Sequence, residues 1–285
     1  MGIITAQPVT EEAYPLSFMQ QGMLFHSLYN PHGGVDIEQM VITLPEPVHA
    51  RSLRTAWLAV IRRHAALRTA FQWDGEQPLQ VVQPEAVPAW EEVDCRTDSE
   101  AEWSARQARF LEEDRRRGFD MAQAPLLRLT FFERADADYR LVWTFHHAIL
   151  DGRAFTLILN EVFACYEALQ NGKELHLDSP RPYRDYISWL HQQDLKPAET
   201  YWRATLQGIE ETSSLTAAFP HRQTQPGLYS VREIRLSEAL TAAIQDLSER
   251  HDLTPNTLLQ GAWAILLSRY TGKQDVVFGV TRACR

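Results

Sequence analysis

The sequence predicts a mixed α/β protein in two lobes, and three observations predict it. Apolar residues recur with the strand period of two in some segments and the helical period of 3.6 in others, and the two kinds alternate along the chain. A stretch with two prolines and little periodicity, GKELHLDSPRPYR (172–184), interrupts that alternation and marks the lobe boundary. The chain has 285 residues, and at roughly 100–200 residues per domain this suits one large domain or two lobes.

Each element has a local cause. Ser17-Phe18-Met19-Gln20 has the S-x-x-Q form of a capping box, so a helix starts there and runs toward Leu28. Residues 36–44, DIEQMVITL, read as a strand. Leu53, Trp57, Ile61 and His64 recur at helical spacing and share one helix face. Residues 67–83 hold two short strand-like runs around Asp74-Gly75, a hairpin signal. Residues 99–117 form a polar, charged helix, and Arg115-Arg116-Arg117 after Glu112-Glu113-Asp114 reads as its solvated end. Strands at 126–134 and 138–147 join across Ala135-Asp136-Ala137. From 152 the period turns helical: Phe155, Ile158, Leu159, Val162, Tyr166 and Leu169 make an apolar stripe that Asn171-Gly172 ends. Helical patterns return at 184–207, 237–250 and 255–270, the last with Thr254 as N-cap and Pro255 at its first position. An apolar strand, Asp275–Val280, closes the chain.

Composition narrows the function. Hydrophobic residues are 45% and charged residues 23%, values that exclude a disordered or fibrous chain. A net charge of −9 argues against nonspecific nucleic-acid binding. Cys95, Cys165 and Cys284 are odd in number and far apart, with no Cys-x-x-Cys, so neither a disulfide framework nor a zinc site is expected. The N-terminus is too polar for a signal peptide, and no run reaches the ~18 apolar residues of a membrane span. A cytoplasmic protein with no metal, nucleic-acid or membrane partner is the expectation. Walker A, G-x-G-x-x-G, G-x-S-x-G and H-E-x-x-H are all missing, so ATP hydrolysis, dinucleotide chemistry, serine hydrolysis and zinc proteolysis lose support.

The chemistry points to His146-His147-Ala148-Ile149-Leu150-Asp151-Gly152, where a strand hands over to a helix. Alternation puts His147 on the face of Leu141, Trp143 and Phe145, and His146 on that of Val142 and Thr144, so only one histidine faces a given cavity. Asp151 is placed to cap the following helix or to pair with a buried arginine. Gly152 lets a backbone N–H with partial positive charge approach an acyl group or developing oxyanion.

This segment is similar to the His-His-x-x-x-Asp-Gly signature of the condensation domains of nonribosomal peptide synthetases, in the chloramphenicol acetyltransferase-like superfamily. PLSFMQQGMLFHSL (15–28), RHAALRTAF (63–71), RRGFDMAQAPLLR (116–128), YRDYISWL (183–190) and TPNTLLQGAWAILLSRYTGKQDVVFGVT (254–281) resemble further motifs in family order, over nearly the whole chain. Ala65 departs from the family, which usually has Glu there. The resemblance implies an α+β, chloramphenicol acetyltransferase-like two-lobed sandwich. Residues 1–175 correspond to the complete N-terminal lobe, and 176–285 to a linker and the first part of the C-terminal lobe. The family's second lobe continues well beyond the position of Arg285, so these 285 residues are expected to form no amide bond alone and to leave Leu258, Trp263, Leu266 and Leu267 short of packing partners.

The function implied is an acyltransferase that forms an amide bond between a carrier-bound acyl or peptidyl thioester and a carrier-bound aminoacyl acceptor. His147 then matches the active histidine, as proton acceptor or as orienter of the amine, His146 and Gly152 accompany it at the site, and Asp151 is structural, paired with Arg68 rather than Arg63. The chain would hold no cofactor; its substrates would ride on the phosphopantetheine of donor and acceptor carrier proteins, beside other synthetase domains, with Arg115–Arg117 as a basic contact for an acidic carrier. Three alternatives stay open: a superfamily acyltransferase with a coenzyme A donor, an epimerisation domain, and a noncatalytic docking fragment.

Overall fold

Ser17 starts the first helix as its spacing requires: its hydroxyl accepts from the Gln20 N–H at 3.2 Å, and the Gln20 side chain accepts from the Ser17 N–H at 2.9 Å. The computed structural model describes residues 12–135, 138–209, 213, 215 and 233–280. Two compact units divide at Gln193/Asp194.

The first unit contains β1 (Glu12–Pro15), α1 (Phe18–Tyr29), β2 (Ile37–Leu44), α2 (Ala50–Arg63), β3 (Thr69–Gln72), β4 (Leu79–Val82), β5 (Ala89–Asp94), α3 (Glu100–Arg117), β6 (Leu127–Ala135), β7 (Asp138–His146), α4 (Ala154–Gln170) and α5 (Tyr183–His191). The larger sheet has the order β2-β7-β6-β5, antiparallel except for the parallel β5–β6 pair. A smaller antiparallel sheet has the order β1-β4-β3. The hairpin expected around Asp74-Gly75 is β3–β4. Residues 136 and 137, the expected connection between β6 and β7, lie outside the described residues.

The period of two along β7 divides the packing. Leu141, Trp143 and Phe145 face a core shared with Leu53, Trp57 and Ile61 of α2 and Ile158, Val162 and Cys165 of α4. The Trp57 and Trp143 rings meet edge-on at 4.8 Å, a preferred aromatic geometry. Val142 packs on the opposite side with Trp103 of α3 and Phe132 of β6. Helices therefore cover both faces of the larger sheet, and β7 is interior, as its apolar run requires.

The charged end of α3 is less solvated than the sequence suggests. Asp114 is buried and pairs with Arg128 of β6. Its Oδ2 also accepts from Thr144 Oγ1 at 2.6 Å and Gln39 Nε2 at 2.9 Å. Arg115 donates to the Ile37 carbonyl at 3.1 Å, and Arg116 pairs with Glu112. Of the three arginines expected as a carrier contact, Arg115 is turned inward onto β2, while Arg116 and Arg117 are exposed.

The division at Gln193 falls later than the expected break at 175/176. The reason is α5, whose Ile187 is buried with Tyr14 and Val82 against the smaller sheet. The second unit holds α6 (Lys196–Thr205), α7 (Glu238–Arg250) and α8 (Pro255–Thr271). The helical pattern of 184–207 is two helices, α5 and α6. Thr254 caps α8, its hydroxyl accepting from the Thr257 N–H at 3.2 Å. Residues 275–280 are not a strand, contrary to expectation; a strand needs a partner ladder, and among the described residues none pairs with this segment. On α8 Leu267 is buried, whereas Trp263, Ile265 and Leu266 are exposed. Cys95 and Cys165 are buried thiols, and Cys284 lies outside the described residues. Among the described residues no helix is long and apolar enough to cross a membrane, and no acidic, His or Cys group could hold a metal ion.

The buried pair yields a test. Asp114→Ala strands Arg128 in the interior, and breaking a buried pair on one side costs ~3–5 kcal/mol. Urea unfolding is expected to show a loss of that size; a loss below ~1 kcal/mol would mean that Arg128 finds another partner or water.

Candidate active site

β7 ends at His146, and the chain then turns through Ala148, Ile149 and Leu150, all buried, before α4 begins at Ala154. Hydrogen bonds fix this turn at several points. The His147 N–H donates to the Asp36 carbonyl at 2.8 Å, and the His146 N–H to Leu126 at 2.9 Å. Gln20 Nε2 reaches across from α1 to the Ala148 carbonyl at 3.0 Å and to Gln80 Oε1 at 3.1 Å.

The two histidines are held in opposite tautomers. Half-buried His147 places Nδ1 at 2.6 Å from the Leu150 carbonyl oxygen. A carbonyl only accepts, so Nδ1 carries the hydrogen and, in the neutral ring, Nε2 keeps its lone pair. His146, 2% exposed, accepts at Nδ1 from the Ala148 N–H at 3.1 Å. Its Nε2 therefore bears the hydrogen and donates to Ser27 Oγ at 2.9 Å, which donates on to the Met23 carbonyl at 2.8 Å. Burial, with the charge of neighbouring His147 as a lesser cause, pushes the His146 imidazole down to about 4. His146 is therefore a neutral, fully engaged ring near pH 7, and His147 is the histidine with a lone pair to offer.

Asp151 behaves as the cap anticipated for the following helix. Its Oδ1 accepts from the Ala154 N–H at 2.9 Å and the Arg153 N–H at 3.2 Å, satisfying donors that a helix start leaves open. Arg68 is not among the partners the structure gives it. The buried Arg68 guanidinium donates to the carbonyls of Gln83 and Pro84, and burial lowers its proton affinity. Arg63 pairs with Glu161 instead. Arg68 is thus bound by backbone carbonyls rather than by Asp151, and the hydrogen bonds described for Asp151 are those to the start of α4. Gly152 is exposed, and a Cβ there would meet only Phe155 Cε1 at 3.8 Å, which leaves room for a chain to pass close to its backbone.

Three residues near this turn escaped the sequence reading. Gln20 and Ser27 hold the turn and His146 from α1. Asp36 lies just before β2, in a small cleft of about 20 Å³ lined also by His26, Ser27, His146, Gly118 and Phe119. Gly118 is needed at this rim: its φ is +61°, and a Cβ would sit 2.8 Å from the Pro31 carbonyl. The S-x-x-Q spacing did single out Gln20, but only as a cap.

The helix-covered mixed sheet, with a histidine pair at the handover from strand to helix, has a chloramphenicol acetyltransferase-like fold. The chain belongs to the condensation-domain family, whose model matches residues 10–285. It is 41% identical over 278 residues to a linear gramicidin synthase of Brevibacillus parabrevis, covering 96% of this chain and 4% of that protein. It is 34% identical over 274 residues to bacitracin synthase 1 of Bacillus licheniformis, covering 94% of this chain and 5% of that one. The fold is similar to the solved first condensation domain of the calcium-dependent antibiotic synthetase, with a TM-score of 0.74 at 17% identity, over 93% of this chain and 63% of that chain. The chain thus spans about one-twentieth of these synthases' length.

The His146 environment predicts an acid sensitivity. Its imidazole lies at about 4 against an ordinary value of 6.5. Between those values the unfolded chain takes up a proton that the folded chain refuses, so stability falls as pH drops through that window. The effect amounts to ~3 kcal/mol by pH 4. His146→Gln is expected to flatten the stability-against-pH curve of the parent by about that much. Parallel curves for the two proteins would show that His146 is not a buried neutral ring.

Proposed function

We propose that this chain acts as the condensation domain of a nonribosomal peptide synthetase, joining a carrier-bound acyl or peptidyl thioester to a carrier-bound aminoacyl acceptor through an amide bond. The observation that carries this reading is the His147 imidazole, held by Leu150 with Nε2 as the lone-pair nitrogen at the mouth of a capped helix start. The family membership and the similarity to peptide synthases support it.

The chemistry asks little of the protein beyond placement. An α-amino group titrates at about 8, so a proton must leave much of the acceptor before it can attack. His147 Nε2 accepts that proton, or orients the amine already freed of it. The amine nitrogen then forms a C–N bond to the thioester carbonyl carbon, and collapse of the adduct breaks the C–S bond. Of the three hydrogens on an entering ammonium, one stays on the amide, one ends on the departing thiol, and one goes to solvent. Gly152, at the approach to α4, offers its N–H to the carbonyl oxygen as negative charge develops there. His146 serves as a positioning residue, since its two nitrogens are already engaged. Asp151 sets the start of α4 and so the place of Gly152.

Both substrates would arrive as thioesters on the phosphopantetheine arms of a donor and an acceptor carrier, beside the other domains of a synthetase. The chain itself would hold no cofactor. The test is His147→Ala in a protein that carries this segment together with a complete second lobe, assayed with acylated donor and aminoacylated acceptor carriers. Loss of general acid–base help lowers rates ~10²–10⁴-fold, and both carriers are expected to bind as before. Product formation within twofold of the parent would overturn the assignment.

A further inference from the structure

Helix α2 carries an unbalanced charge. Residues 47–73 hold five arginines and no acidic residue, in a chain whose net charge is −9. Arg63 and Arg68 are used within the protein, on Glu161 and on the Gln83 and Pro84 carbonyls. Arg51, Arg54 and Arg62 are exposed, and among the described residues no carboxylate lies within ion-pair distance of any of the three. At 3.6 residues per turn they fall within about 80° of one another and span ~16 Å along the axis. Leu53, Ala56, Trp57, Val60 and Ile61 are buried on the other side. Both ends of the helix are tied to α4, by the His49 N–H to the Tyr166 hydroxyl at 3.1 Å and by Arg63 and His64 to Glu161 at 3.0 and 2.7 Å. The arginine stripe is therefore held outward on a fixed support. Other helices balance arginine with a carboxylate one turn earlier: Arg116 with Glu112 in α3, Arg203 with Glu199 in α6, Arg250 with Asp246 in α7. Arg62 suits the last turn of α2, but Arg51 stands in the first, where the helix dipole disfavours a cation. Neither packing nor pairing within the fold accounts for Arg51 and Arg54. No large apolar side chain of α2 is exposed beside them, so the face lacks what an interfacial membrane helix needs.

We propose that this face of α2 docks an acidic helix of a neighbouring protein domain, one that repeats carboxylates along a single side over three turns. Charge complementarity carries the choice. A guanidinium presents paired N–H donors that match a carboxylate, and helical carboxylates at i, i+4, i+7 and i+11 cover the length of the stripe. A long polyanion such as a nucleic acid would also meet the surrounding surface of a chain with net charge −9 and be repelled by it. An acidic helix no longer than the stripe meets the arginines alone. The inference rests on the proposed function only in placing this chain beside other synthetase domains; the contact forms whether or not His147 moves a proton.

The probe is a fluorescein-labelled, alanine-rich helical peptide with Glu at i, i+4, i+7 and i+11. Its binding to the full chain is read by anisotropy in low salt. A second peptide of the same composition spreads its Glu residues around the helix. The parent is expected to bind the one-sided peptide ~10-fold more tightly, the scale of three exposed ion pairs acting together, and to release it as salt is raised. The triple variant Arg51→Glu, Arg54→Glu, Arg62→Glu is expected to lose at least that factor. The triple variant Arg109→Glu, Arg116→Glu, Arg117→Glu makes the same charge change on exposed residues of α3, and is expected to stay within about threefold of the parent. Glutamine at the three α2 positions removes the charge without reversing it and keeps the comparison readable where the Glu variant does not fold. Equal binding of the two peptides by the parent overturns the proposal. So does an equal loss in the two Glu triples, which would place the attraction in net charge rather than in α2. Tighter binding of a single-stranded oligonucleotide of equal charge would overturn it in favour of a nucleic-acid surface. His147→Ala is expected to bind the peptide as the parent does, so a failure of the stripe and a failure of the His147 reading are told apart.

Discussion

The arrangement depends first on one buried amide. Gln20 has two donors and two acceptor sites, and all four are used: Oε1 accepts from the Ser17 N–H and from Gln80, and Nε2 donates to Gln80 and to the Ala148 carbonyl. One side chain thus closes the start of α1, ties that helix to β4 of the smaller sheet, and fixes the turn that carries His147. A buried amide is tolerable only when satisfied in full. The three parts must therefore sit together, and the larger sheet, which supplies β7, is brought into register with the smaller one at this point. Ser27, two turns further along α1, holds His146 by the same logic.

Much of the fold was legible because local patterns and tertiary packing agree. The capping boxes, the stripe of α4 and the alternation along β7 all express burial on one face, and burial is what the sequence records most directly. Short strands without a neighbouring partner in the sequence were not legible. β1 has four residues and β5 six, and their hydrogen-bond partners lie far along the chain, at β4 and β6. Asp114 was misread for a related reason. A carboxylate among six charged residues looks solvated, and only the arrival of Arg128 from β6 makes its burial tolerable. Asp275–Val280 shows the reverse error, since apolar β-formers make a strand only where a ladder exists to receive them.

The site was legible at the level of residue types and less so at the level of contacts. The spacing from His146 to Gly152 identified the turn, and strand alternation separated the two histidines. The setting of Arg68 was not readable, because it is claimed by carbonyls that its own loop brings near. Nor was Asp36: an acidic residue just before a strand has no signature, and its relation to His147 exists only through strand register.

His147 takes its orientation from a main-chain oxygen, that of Leu150, rather than from a carboxylate. A main-chain acceptor survives any substitution at its own position. Positions 148–150 are therefore free to vary in identity so long as they stay small or apolar enough for burial. They are not free to vary in number. One inserted or deleted residue would carry the carbonyl away from the ring and release the imidazole to spin into the wrong tautomer. For anyone grafting or diversifying this turn, length is the quantity to hold fixed, and composition is the quantity to search.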